Sequence, residues 1–550
     1  MSDKNQILTF PVLFSDTVSK FPDHNALAFV GESPLTYRQM HKRINALIAM
    51  MEQLNIRPGD KVAILSTNMP NWGVAYFAIT FMGAVVVPLL PDFHSGEIEK
   101  FLLHSETRLL FVSENLRYKI KGIENNITKD IIILDNLENL NPARQDVTFD
   151  PSAMPFNIYT VEENMLAAII YTSGTTGKPK GVMLSHKNIC FDAIKSSIIQ
   201  PVNENDRFLS VLPLSHTYEN TLGLILPMIY GACTYYLRKP PTPPVLMPAL
   251  KQVKPTILLT VPLIIEKVYR NAVLPKFTKG KLMCRLYHLS FFRKILHRLA
   301  GKKLMETFGG QVKFFGIGGA KLDKVVERFL IEARFPYAIG YGLTETAPLL
   351  AGAGPFSTKW QSTGPAMDGV ELKIMNPDPV TGEGEIVARG PNVMLGYYKE
   401  PELTRTVLDE NGWFRTGDLG IFNKDNYLFI KGRLKNMIIM NSGENIYPEE
   451  IETVINNFNY VGDSLVVEDK GKLVALVYFN KEEIETKYQH LKAELSEYVD
   501  KKIEELKVEL KEYVNKRVNR FSRVQIIISQ PDPFQKTATQ KIKRFMYLKK

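Results

Sequence analysis

Hydrophobic positions change their spacing along this chain, and the change divides it. From residue 35 to about 170, helix-period stretches such as 37–54 alternate with short apolar runs at 61–65 and 108–112. Such alternation predicts strands interleaved with helices, an α/β architecture. The pattern continues with apolar runs at 208–212, 256–259 and 312–315, each bounded by turn formers. The longest apolar stretch, 74–90, is interrupted by Thr80, Gly83 and Pro88. It therefore reads as a buried helix followed by a buried strand, with Val85, Val86 and Val87 in the strand, and not as a spanning helix.

Between 364 and 430 the texture turns to short β-like segments, among them 370–374 and 384–388, punctuated by Gly, Pro, Asp and Asn. This predicts a β-rich subdomain. After Gly432-Arg433-Leu434-Lys435 the chain becomes more charged, and no Gly or Pro occurs between Lys472 and Gln530. A smaller α+β domain is expected over 436–550, following a large domain over 1–435. Within it the segment LKAELSEYV at 491 recurs as LKVELKEYV at 506, and Leu495, Tyr498, Val499, Ile503, Leu506, Leu510 and Tyr513 form a helical stripe. An amphipathic helix packed on its own domain is predicted, because the stripe is too short for a coiled coil.

With 45% hydrophobic and 23% charged residues over 550 positions, a disordered or low-complexity chain is excluded. Cys190, Cys233 and Cys284 are widely spaced and odd in number, so neither a disulfide framework nor a clustered zinc site is readable. The start of the chain lacks the basic residues and apolar run of a secretory signal, which makes a cytoplasmic location the expectation. The net charge of +10 favours anionic partners without naming one.

Chemistry concentrates in YTSGTTGKPKG at 171–181, directly after the apolar run 165–170. A loop dense in hydroxyls, glycines and lysines offers side-chain and backbone donors to phosphate oxygens. Thr172, Ser173, Gly174, Thr175, Thr176 and Lys178 are thus candidate polyphosphate ligands. The loop is not a Walker A motif, because Gly174 and Gly177 are too close together and Pro179 follows Lys178 where Ser or Thr is required. Thr344 and Glu345 lie in a short polar segment where a hydroxyl can meet a phosphate and a carboxylate can hold Mg²⁺. Gly316-Ile-Gly-Gly-Ala320 superficially resembles a dinucleotide fingerprint, but Lys321 replaces its last glycine.

The loop at 171–181 resembles the signature of the adenylate-forming enzymes, the superfamily of acyl-CoA synthetases, peptide adenylation domains and firefly luciferase. Further segments similar to its motifs follow in family order: LPLSHTYE at 212–219, GGA at 318–320, YGLTET at 341–346, GWFRTGD at 412–418, GRLK at 432–435 and GENIYP at 443–448, with Lys541 near the end. The resemblance implies a nucleotide site containing Gly318, Gly319, Ala320, Tyr341, Gly342, Asp418 and Arg433, with Asp418 on the ribose hydroxyls. It implies catalytic roles for Lys541, Thr344, Glu345 and His216, Mg²⁺ on Glu345, and a hinge at Lys435 about which a mobile terminal domain rotates. Two departures stand out: Gln540 where the family usually has Gly, and Leu263 where many long-chain enzymes carry Arg.

What the resemblance implies is ATP-dependent conversion of a carboxylic acid to its acyl adenylate and transfer to CoA. The segment 253–269 is most similar to long-chain fatty acyl-CoA synthetases, so a medium- or long-chain fatty acid is the expected substrate. Transfer to a carrier protein, or a silent nucleotide- or lipid-binding protein, are the alternatives; Glu345, Asp418 and Lys541 together count against the last. No Asp or Glu occurs between Lys267 and Met305, while Lys276, Lys279, Lys281, Arg285, Arg293, Lys294, Arg298, Lys302 and Lys303 interleave with Leu282, Leu286, Phe291, Phe292, Ile295 and Leu299. This pattern suits peripheral contact with an anionic surface such as the inner membrane face, or a solvated basic helix pair. No recognition module accompanies the charge, so nucleic acid is not an expected partner.

Overall fold

The computed structural model describes residues 7–128, 130–173, 179–278, 280–440, 445–488, 495–537 and 541–547. Two compact units form. The first comprises residues up to Lys373 with Val387–Arg415 and Asn423–Leu428; the second comprises Ile374–Ile386, Thr416–Phe422 and Phe429–Lys550.

The first unit is built on two eight-stranded sheets, which is the α/β class expected. One runs in the order Gly396–Tyr397, Pro179–Ser185, Leu166–Ser173, Val85–Leu89, Lys61–Leu65, Thr107–Val112, Asp130–Ile133, Glu138–Asn139. Its centre is parallel, with Lys61–Leu65 flanked by Val85–Leu89 and Thr107–Val112. Parallel strands are covered on both faces, which explains why they read as continuous apolar runs without alternation. The helix Pro70–Phe81 and the strand Val85–Leu89 divide the apolar stretch as its breakers predict, and Trp72, Phe77 and Val86 are fully buried. Among the described residues no helix is long and apolar enough to cross a membrane.

The other large sheet orders Leu349–Gly352, Tyr337–Gly342, Phe314–Ile317, Ile257–Thr260, Arg207–Ser210, Cys233–Tyr236, Asn25–Phe29 and Leu35–Thr36. The helix Tyr37–Gln53 starts at a reciprocal cap between Thr36 and Gln39. That cap satisfies two otherwise orphan backbone donors and fixes where the helix begins. The β-rich segment contains a four-stranded sheet, Glu371–Met375, Gly384–Arg389, Phe414–Phe422 and Leu428–Arg433.

In the second unit a three-stranded sheet, Val461–Asp469, Lys472–Phe479 and Ile526–Gln530, carries the helix Leu495–Asn515. Val499, Ile503, Leu506 and Leu510 are buried in its core, and the Tyr513 ring lies 5.3 Å from that of Phe458. The predicted stripe thus covers its own sheet. The side chains of Leu495 and Tyr498 lie outside the described residues.

Candidate functional site

The signature segment forms an antiparallel hairpin in which Tyr171 faces Gly181, Thr172 faces Lys180 and Ser173 faces Pro179. Gly181 is required here, since a Cβ would come within 2.8 Å of Ile169 and 3.3 Å of the Tyr171 ring. Gly174, Thr175, Thr176 and Lys178 lie outside the described residues. On the other side of Pro179–Ser185 the short strand Gly396–Tyr397 pairs with it, Tyr397 opposite Val182. The Tyr397 hydroxyl donates to Glu345 Oε1 at 2.9 Å, and Lys180 Nζ lies 5.5 Å from the Tyr397 ring. One side chain therefore links the hairpin to the Thr344–Glu345 turn.

That turn is held from several directions. Tyr341 and Gly342 end the strand Tyr337–Gly342, and a Cβ on Gly342 would sit 1.8 Å from the Pro348 carbonyl oxygen. Only glycine permits this approach. Thr346 Oγ1 donates to the Pro348 carbonyl at 2.7 Å, and Thr221 Oγ1 to that of Ala347 at 2.9 Å. Asn392 donates to the carbonyls of Thr346 and Leu349, while the Asp192 carboxylate accepts from the Leu349 amide at 2.9 Å. Burial pushes the Asp192 carboxyl well above its usual range. Asp192, Asn392, Thr221 and Tyr397 escape sequence reasoning. Each is an ordinary polar residue until contacts from distant parts of the chain show it supporting this turn.

The strand Phe314–Ile317 leads into Gly318, Gly319 and Ala320, with Gly319 and Ala320 exposed and Gly319 at φ +84°. A Cβ on Gly316 would meet the Tyr218 hydroxyl at 3.0 Å and one on Gly318 the Tyr218 ring at 3.1 Å, so both glycines let that aromatic side chain lie close by. Half-buried His216 caps Thr217–Glu219, its Nδ1 accepting from the Tyr218 amide at 3.3 Å. Glu219 is buried, and desolvation lifts its carboxyl to about 8 against a hydrogen bond from Ser210 that lowers it. Beside Tyr218 opens a cavity of about 50 Å³, walled by Phe208, Leu222, Leu226, Ile257, Leu259 and Ala338 among others. Ser196 and Gln200 are the polar side chains on its wall besides the Tyr218 hydroxyl.

The second unit carries the remaining candidates. Asp418, buried on Phe414–Phe422, accepts from Arg433 Nε at 2.9 Å, and its amide is held by Thr416 Oγ1 at 3.1 Å. Lys435 is exposed in the short turn Leu434–Asn436. Lys541 is exposed; its amide donates to Thr537 Oγ1 at 3.2 Å and its carbonyl accepts from the Thr537 amide at 2.8 Å. Three residues on, Arg544 pairs with Glu452 and approaches Glu449 to 3.9 Å. Desolvation lifts Glu452 to about 7 even with that guanidinium beside it.

Among the described residues no cluster of three His, Cys, Asp or Glu could hold a metal by protein ligands alone. Glu345 and Thr344 fit Mg²⁺ nonetheless, since that ion commonly takes one or two carboxylates and completes its shell with waters and substrate phosphates.

A two-sheet α/β unit with a hydroxyl- and glycine-rich hairpin and a braced carboxylate turn describes a nucleotide-binding enzyme. The chain belongs to the AMP-binding enzyme family, whose model matches residues 14–398, and its general activity is that of an adenylate-forming ligase. Long chain acyl-CoA synthetase 6, peroxisomal, of Arabidopsis thaliana is 27% identical over 86% of this chain and 74% of its own. A 4-coumarate–CoA ligase of Petroselinum crispum is 29% identical over 82% and 80%. A chloroplastic long-chain-fatty-acid–acyl-carrier-protein ligase of Arabidopsis thaliana is 26% identical over 86% and 77%. Among solved structures, the o-succinylbenzoate CoA synthetase of Bacillus subtilis bound to its acyl-adenylate intermediate superposes with a TM-score of 0.76 over 98% of both chains, at 23% identity.

Proposed function

We propose that this protein activates a medium- or long-chain fatty acid as its acyl adenylate and transfers the acyl group to CoA. The observation that carries the choice of acid is the apolar wall of the cavity beside Tyr218 and Gly316. An alkyl chain gains roughly 0.8 kcal/mol per methylene buried, and such a wall offers few partners to a second polar group. The cavity volume of about 50 Å³ exceeds the roughly 10–15 Å³ that one water needs. A long chain would extend it by displacing side chains of the wall.

In this reading a carboxylate oxygen attacks the α-phosphorus of ATP, the bond to pyrophosphate breaks, and the CoA thiolate later displaces AMP. Two anions meet in the first step. Lys541 and the donors Thr172, Ser173, Thr175, Thr176 and Lys178, with backbone amides of Gly174, offset the repulsion. Bound on Glu345 with Thr344 nearby, Mg²⁺ would neutralise phosphate charge. Gly318, Gly319, Ala320, Tyr341 and Gly342 border the adenine and acyl carboxylate, Asp418 accepts from the ribose hydroxyls with Arg433 in support, and His216 lines the acyl site. We assign residues 1–435, with 364–430 as its β-rich part, to the adenylating domain and 436–550 to a domain that rotates about Lys435 between the two steps. Its partners are fatty acid, ATP and CoA, with peripheral contact at an anionic membrane face and a cytoplasmic location.

Incubation with ATP, Mg²⁺, CoA and a mixture of short, medium, long and aromatic acids, followed by mass spectrometry, tests the reading. AMP, pyrophosphate and medium- or long-chain acyl-CoA are expected; a dominant aromatic thioester would reject the fatty acid. The similarity to an acyl-carrier-protein ligase supports a second acceptor, and the same assay with holo-carrier protein in place of CoA decides between them.

A further inference from the structure

We infer that the exposed face of the helix Ser290–Thr307 is the surface by which this protein lies on an anionic lipid bilayer. This deepens the proposed membrane contact and rests on that part of the reading. It narrows the contact from the interleaved basic and apolar residues read across 267–305 to one face of one helix, whose exposed apolar side chains form a continuous strip.

The strip is specific. Phe291, Ile295 and Leu299 recur every four residues, and Phe292 joins them along one side. They are 69%, 41%, 59% and 42% exposed, with Leu289 at 54% just before the helix. Four large apolar side chains facing water on one helix are costly in a soluble setting, because each forgoes roughly 1.5–3 kcal/mol of burial. Exposed Lys294 and Arg298 flank the strip on one side, Lys303 on the other, and Lys302 continues it toward the C-terminal end. An apolar strip between cations is the pattern of an interfacial helix, whose hydrocarbon sinks into the acyl boundary while long basic side chains reach back to the phosphates. No acidic residue precedes Glu306 on this helix. An acidic protein would meet the same charges, but would not need aromatic and aliphatic tips projecting at single-residue width.

The opposite face is fastened to the core, so the strip is not a loosely held helix caught outward. Leu304 and Gly301 are buried, and a Cβ on Gly301 would stand 2.8 Å from Ala333 of the helix Lys324–Ala333. Arg293 grips Glu332 in two contacts, Nη2 to Oε1 at 2.8 Å and Nε to Oε2 at 3.0 Å, so its charge is spent inward. His297 Nδ1 lies 2.7 Å from Glu332 Oε2, its Nε2 3.0 Å from the Tyr287 hydroxyl, and Tyr287 meets the Tyr269 hydroxyl at 2.9 Å. Arranged polar contacts of this kind hold the helix at a fixed rotation.

The test uses the full chain and flotation with vesicles of phosphatidylglycerol mixed equally with phosphatidylcholine, against phosphatidylcholine alone. Binding is read without turnover, so failure here leaves the ligase reading standing, and an inactive protein can still bind. Wild type should float with the mixed vesicles. Phe291→Ser, Ile295→Ser and Leu299→Ser combined should weaken binding at least tenfold with an unchanged melting temperature. Lys294→Gln, Arg298→Gln, Lys302→Gln and Lys303→Gln should weaken it about fivefold each, the factor that corresponds to about 1 kcal/mol per cation near such a surface. Absence of flotation, or flotation indifferent to both sets, overturns the proposal. So does a dimer in light scattering that the serine variant dissolves without any vesicle binding, which would make the strip a contact between copies. Retention on polyglutamate without flotation would likewise overturn it in favour of an acidic polypeptide.

Discussion

Glu219 shows what a single side chain can reveal that its neighbours in sequence cannot. The motif around it is legible, yet only burial tells that its carboxyl is lifted from 4.5 to about 8. The unfolded chain releases this proton near the ordinary value, while the folded chain keeps it until about pH 8. Its stabilising contribution is therefore complete below about 4.5, declines as pH rises, and is lost above about 8, at about 1.4 kcal/mol per pH unit traversed. Thermal melts of wild type and Glu219→Gln at pH 6 and pH 9 should show wild type falling further between them, since the amide has no proton to lose. Equal falls would mean that Glu219 is ionised in the fold. Tyr397, Asp192 and Asn392 were illegible for a related reason: their partners lie 40 to 200 positions away, as in Asn392 on Thr346 and on Asp192. A polar letter in the sequence carries no mark of being buried.

At the scale of elements, apolar runs and turn formers foretold the parallel strands and the helix over 495–515, because continuous burial and a one-sided stripe leave strong patterns. The two-residue strand Gly396–Tyr397 left none, although it carries the tyrosine that holds Glu345. Its position depends on pairing with Pro179–Ser185, a contact of long sequence separation. Gly342→Ala tests the turn it serves: with 1.8 Å available, a methyl group must displace the Pro348 carbonyl. Adenylation, followed as pyrophosphate release, should fall at least tenfold, and the Thr344–Glu345 turn should be disturbed more than the global fold. The cavity gives a further test at this scale. Ala338→Leu adds three carbons to its wall, and overpacking of this size usually costs about 1–3 kcal/mol. The ratio of kcat/KM for long over short acids should fall by about tenfold or more, by the 1–3 kcal/mol that a methylene-scale misfit is worth. An unchanged ratio would remove the cavity from the acyl site.

For the molecule as a whole, the proposed chemistry asks two incompatible things of one site: a cation at the carboxylate and α-phosphate during adenylation, then room for a thiol. On the proposed reading Lys541 serves the first demand and Lys435 the change to the second. Lys541→Ala removes the charge proposed to meet the first transition state and should slow adenylation by about 10²- to 10³-fold, the scale of one preorganised electrostatic contact. Thioester formation from supplied acyl adenylate should largely survive. Lys435→Pro leaves the Lys541 ammonium in place but fixes φ near −65° at the proposed pivot, so it should impair thioester formation more than adenylation. Arg544→Met supplies a control within the same unit: it removes the guanidinium that pairs with Glu452 and approaches Glu449 three residues past Lys541, and should therefore resemble Lys541→Ala in which half-reaction it slows. Pyrophosphate release and single-turnover thioester formation, measured separately for the three variants, read the contrast. If all three depress both half-reactions equally, then the assignment of Lys541 to one arrangement and Lys435 to the change between arrangements fails, while the adenylate-forming class, which rests on the family match over residues 14–398, is untouched.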